Sequence, residues 1–182
     1  MQRIFHAAAG LLIASAVMCP GHAAVVESTA NGFAVEQTVQ IAATPAKVYD
    51  VLIRPALWWD KDHTYSHSAT NLSLQAHAGG CFCETMPKGG SVEHARVVVA
   101  EPGELLRLRG PLGPFQGQGV DSALTFTLKA NGTGTELTLD NNVGGYMKGG
   151  FADWPARADA MLAGQMARLK RYLETGSPDA KP

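Results

Sequence analysis

What most constrains this chain is the order in which its hydrophobic periods change: many short segments broken by glycine-rich turns, then one long amphipathic segment near the end. Six strand-like segments cover residues 71–78, 81–86, 91–100, 105–110, 120–129 and 135–143. Their separators are Gly79-Gly80, Lys88-Gly89-Gly90, Glu101-Pro102-Gly103, the glycine-bearing loop 110–119 and Asn131-Gly132-Thr133-Gly134, residue types that tight turns need. That pattern predicts an antiparallel meander. Trp154-Pro155 then opens a helix running to about Thr175, with Gly176 as its stop and Pro178 beyond. Met161, Leu162, Gln165, Met166, Leu169, Tyr172 and Leu173 recur at spacings of three and four, and such a stripe must be covered. The surface large enough to cover it is a sheet face bearing residues such as Leu106, Leu108, Leu124, Phe126, Leu128, Leu137 and Leu139, so the fold class is α+β.

The N-terminal part adds a strand and two short helices. Residues 33–42 alternate, with Phe33, Val35, Gln37, Val39 and Ile41 on one side. Thr44-Pro45 supplies an N-cap and a first-turn proline for a helix ending before Arg54-Pro55; Ala56-Leu57-Trp58-Trp59 forms a second helical turn, and residues 60–67 a polar loop. Residues 1–23 have the pattern of a secretory signal peptide: Arg3, an apolar stretch over residues 7–18, and Gly21-His22-Ala23 as a cleavage site. That pattern predicts export to the periplasm or the exterior, with residues 24–32 a loose lead-in, 33–176 the domain and 177–182 a flexible tail. Forty-six per cent hydrophobic against 17% charged residues suffices for one core. A net charge of -1 leaves no basic excess for nucleic-acid phosphates. No segment of the mature chain approaches the ~20 apolar residues of a transmembrane helix. Nothing in the pattern names a protein partner.

Ala43-Thr44-Pro45-Ala46-Lys47-Val48-Tyr49, Trp58-Trp59, Gly79-Gly80-Cys81-Phe82-Cys83-Glu84, Glu101-Pro102-Gly103-Glu104-Leu105-Leu106-Arg107-Leu108, Gly134-Thr135-Glu136-Leu137-Thr138-Leu139 and the segment 165–174 together resemble the SRPBCC superfamily of START-like and polyketide cyclase/dehydrase-like domains. The resemblance implies a helix-grip fold: a curved antiparallel sheet of six to seven strands wrapped around the C-terminal helix, with two short helices after strand 1. It also implies a cavity between sheet and helix that takes an apolar or amphipathic small molecule without metal or cofactor. The residues placed to line it are Trp58, Trp59, Phe82, Leu124, Phe126, Tyr146, Trp154, Met161 and Gln165; for the apolar ones the alternative is core packing with no ligand.

Acid/base chemistry has one candidate pair. With a three-residue loop at Lys88-Gly89-Gly90, Glu84 and His94 lie opposite each other, whereas a two- or four-residue loop sends them to opposite faces. Such a pair, with Asp121 as a third group, would make the domain a cyclase- or hydratase-type enzyme; an ordinary structural pair is the plainer reading. His63 and His67 would share one side only if helical, and Cys81 and Cys83 with His77 or His94 form a second, weak metal set. In a regular strand Cys81 and Cys83 stand ~6.5–7 Å apart, too far to bridge. No nucleophile elbow, phosphate loop or dinucleotide fingerprint is present in the sequence.

Overall fold

Alternation from Phe33 onward makes a strand because every second side chain is covered by a helix layer. In the computed structural model, which describes residues 23–180, this strand is Gly32–Ile41 (β2), with Phe33, Val35, Gln37 and Ile41 buried. Ahead of it Ala23–Thr29 forms β1, antiparallel to β2. The lead-in expected there is thus largely strand. Val25 and Val26 are 40% and 63% exposed, so ladder hydrogen bonds rather than burial make it one, and its sequence carries no period to betray it. The export segment expected over residues 1–23 lies, but for Ala23, outside the described residues.

Leu72–Leu74 (β3), Cys81–Thr85 (β4), Ser91–Glu101 (β5), Leu105–Arg109 (β6), Gly119–Asn131 (β7) and Gly134–Tyr146 (β8) complete a sheet of order β1-β2-β8-β7-β6-β5-β4-β3, antiparallel throughout. It has eight strands where six or seven were expected, since β1 adds an edge. The helix α1 (Pro45–Leu52) starts at Thr44, whose hydroxyl accepts from the Lys47 amide, and buries Val48, Tyr49, Val51 and Leu52. The second short helix is a single 3-10 turn, Pro55–Leu57. The helix α2 (Trp154–Thr175) ends at Gly176, whose φ of 82° is the left-handed cap conformation that glycine adopts without strain.

Ala158, Leu162, Gln165, Met166 and Leu169 form the buried stripe of α2, which lies chiefly against β2. Leu162 and Leu169 meet a sheet face on which Leu106, Leu137 and Leu139 are almost wholly covered, so this half of the interior is closed. Residues 177–180, expected as a free tail, turn back: Arg171 donates to the Pro178 carbonyl and Arg168 pairs with Asp179. The family fold expected from the sequence is therefore the one observed: a helix gripped by a curved antiparallel sheet.

Candidate functional site

The site begins with an irregularity in one ladder. Glu84 stands opposite Val92 and Cys83 opposite Glu93, but Phe82 pairs with Ala95, so His94 is the extra residue of a β-bulge in β5. The bulge turns both His94 and Ala95 inward. The hairpin loop is longer than the three residues considered, with the Met86 amide donating to the Gly90 carbonyl and Lys88 at φ 69°. Glu84 and His94 nevertheless meet, diagonally rather than directly opposite, because a slip of two residues keeps the same face. His94 Nε2 lies 2.9 Å from Glu84 Oε2, and both side chains are buried.

Glu84 also receives the Tyr65 amide at 3.0 Å and the Ser66 amide. Burial pushes its carboxyl up, yet the hydrogen bonds from Ser66, Tyr65 and His94 outweigh burial and hold it below its ordinary 4.5. His94 is shifted below 6.5 because burial disfavours the imidazolium more than Glu84 favours it. An ionised Glu84 can only accept, so a neutral His94 must carry its proton on Nε2. Its Nδ1, which has no hydrogen bond among the described residues, is then a free base on a residue that lines the cavity beside it.

That cavity has a volume of about 490 Å³ and opens between the N-terminal half of α2, the inner faces of β5, β7 and β8, and the loops 59–65 and 112–115. Four of the nine residues placed there by sequence lie on its wall: Trp59, Phe82, Trp154 and Met161. Trp58, Leu124 and Phe126 do not. They surround, with Leu52 and Leu106 among others, a gap of only about 20 Å³, because α1 and the Pro55–Leu57 turn press onto the sheet there. Tyr146, the last residue of β8, is 73% exposed and off the wall. Gln165 is buried but spends its Oε1 on the Asp60 amide, tying the loop to α2.

Several wall residues were not expected from the sequence. Phe115 is driven inward from a 3-10 turn and stacks near Trp154, with ring centroids 5.0 Å apart. Loop 110–119, which contains it, is clasped by Tyr65, whose hydroxyl lies 3.1 Å from the Gly113 carbonyl. Ser122 and Asn141 are the polar breaks in otherwise apolar inward rows, Val120-Ser122-Leu124-Phe126 and Leu137-Leu139-Asn141-Val143, and that interruption was the available signal. Arg157, also on the wall, gave none.

The remaining candidates fall apart. Asp121 is exposed and pairs with Arg109 on the outer face. His63 ends a single 3-10 turn and His67 takes a left-handed φ of 55°, so no helix brings them together. Cys81 and Cys83 are joined by a disulfide, contrary to the expectation for a regular strand. The ladder slips between Phe82 and Cys83, and the two Cα atoms approach to 5.4 Å. Tied to each other, they are no thiolate ligands. Among the described residues no three His, Cys, Asp or Glu gather as a metal site, and no helix is long and apolar enough to cross a membrane.

A family model described as polyketide cyclase / dehydrase and lipid transport matches residues 32–174. No curated protein matches the chain significantly. Among solved structures, DynU16, from the dynemicin biosynthetic locus, is similar at 23% identity and a TM-score of 0.56; the match covers 81% of this chain and 49% of DynU16, so this chain spans about half that protein's length. EF2215 from Enterococcus faecalis, a conserved protein of unknown function, is similar at 15% identity and TM-score 0.60, over 89% of this chain and 80% of that one. CalU16 from Micromonospora echinospora is similar at 14% identity and TM-score 0.56, over 89% and 87% respectively. At such identities the likeness shows a shared fold.

Proposed function

Since the chain belongs to the polyketide cyclase / dehydrase and lipid transport family, we propose that it takes up an apolar or amphipathic small molecule in the cavity under α2, as a carrier or store of that molecule. The observation that carries this reading is the cavity itself. At about 490 Å³ it falls inside the range of roughly 300–1,000 Å³ typical of small-molecule sites. Trp59, Phe82, Phe115, Val143 and Met161 give it an apolar wall with few polar groups. A closed core would have filled this space with side chains, as it does around Leu162 and Leu169. The test is titration with Nile red, a neutral apolar dye. Wild type should bind it saturably, and Met161→Trp, which fills the space from α2, should weaken binding by at least about tenfold while keeping the circular dichroism of wild type. No saturable binding, together with native mass spectra free of any co-purified small molecule, would overturn the reading.

A second reading has one observation in its favour: the 2.9 Å contact that leaves neutral His94, a residue of the cavity wall, with an Nδ1 free of hydrogen bonds among the described residues. Glu84 would fix the tautomer and His94 would remove or return a proton on a bound molecule, as cyclisation or dehydration requires. On this reading His94→Gln still retains the molecule recovered from the host but no longer converts it. Equal conversion by the variant and wild type would remove the acid/base role and leave binding alone.

A further inference from the structure

Of the buried side-chain atoms without a hydrogen-bond partner among the described residues, on Tyr49, Asn141 and Gln165, the one on Asn141 belongs to the cavity wall. Asn141, on β8, is 5% exposed, lines the cavity, and makes no side-chain hydrogen bond among the described residues; its Oδ1 is wholly buried without a partner. An unmet buried amide costs stability, so such a group is accounted for if a ligand completes it. Arg157, in the first turn of α2, reaches the same cavity, its guanidinium carbon 5.6 Å from the centre of the Trp154 ring. It is exposed and has neither an ion pair nor a hydrogen bond among the described residues.

Its surroundings leave that charge unspent. Asp153 stands at the N-cap but makes no capping bond to the first-turn amides, and that turn holds no acidic residue, so those amides keep their donors for an anion. The carboxylate on the cavity wall, Asp62, is matched by Lys61 at 2.7 Å. Asp159, near Arg157 in sequence, accepts from Gln37. Among the described residues the wall of this apolar chamber thus carries a guanidinium without an ion pair and a buried amide oxygen without a hydrogen bond.

We propose that the guest is an amphipathic monoanion, a carboxylate with an apolar body, held with its charged head against Arg157 and the start of α2 and a polar group of its body against Asn141. This rests on the cavity-binding reading and names the chemistry that it selects. Apolar walls alone would hold an alcohol and an acid of the same chain about equally, whereas a charge-assisted contact favours the acid.

Displacement of Nile red by dodecanoate and by 1-dodecanol tests it. Wild type should prefer the acid by about tenfold or more at low salt, and the preference should shrink in 0.5 M NaCl, since an exposed charge is screened. Arg157→Gln should bring the acid to within about twofold of the alcohol and leave the alcohol unchanged; Arg157→Lys, which keeps the charge, should retain part of the preference. Equal affinity for acid and alcohol in wild type, or a preference that survives in Arg157→Gln, overturns the proposal while leaving cavity binding intact. If neither probe nor the dye binds, both fail together.

Discussion

Glu84 and His94 are both inward, both buried, and both shifted so that the fold prefers the less protonated form. For His94 the unfolded chain binds a proton below about 6.5 where the native imidazole, its pKa lowered by burial, does not; stability therefore begins to fall as pH drops through that value. For Glu84 the native carboxyl lies below 4.5, so protons again favour the unfolded chain, and a second loss begins under that pH. Melting temperatures between pH 8 and 3.5 should accordingly decline in two stages. His94→Gln should abolish the first and keep the second. A flat profile in wild type from pH 7 to 5 would mean that His94 is not held neutral. The second stage has a structural reading as well, since protonating Glu84 weakens its grip on the amides of Tyr65 and Ser66, and with them the loop that clasps the cavity rim.

Elements whose period matches their environment were legible in the sequence, and those made by a neighbour were not. The helix Trp154–Thr175 could be bounded at both ends, because Pro155 and Gly176 act through local φ preferences. The long strands β5, β7 and β8 were legible for the same reason: one face is buried along their length. By contrast β1 is paired along the edge of β2 with no period of its own, and nothing in the local sequence of β5 marks the bulge at His94. That single inserted residue decided two matters at the site. It brought Ala95 inward directly after His94, and it lies where the ladder slips and Cys81 and Cys83 come within bonding reach. Of the expected lining, the aromatic residues nearest the start of α2 reached the cavity, while Leu124 and Phe126 went into packed core. Alternation says which face a side chain takes but not how far the opposite layer stands from it.

At the scale of the whole molecule, the N-terminal half of α2 lines the cavity through Trp154, Arg157, Ala158 and Met161, while its C-terminal half is packed through Met166 and Leu169. One half is thus available for stability and the other for a guest. A residue that serves the guest should then be a stability defect in the empty protein. Asn141 is the sharpest case, because its neighbours in the inward row are Leu139 and Val143, and Leu would continue their pattern. Asn141→Leu removes an unmet buried amide, a relief of about 1–3 kcal/mol, which in a domain of this size raises the melting temperature by roughly 2–4 °C per kcal/mol. The same change takes from the cavity floor the group that would meet a polar atom of the ligand. Differential scanning calorimetry of the unliganded protein should show the variant melting higher, while Nile red displacement should show it losing any preference of wild type for 12-hydroxydodecanoate, whose body carries a polar group, over dodecanoate, whose body carries none. A variant that melts lower would mean that Asn141 already has a partner within the protein, and the cavity floor would then be part of the scaffold rather than part of the binding site.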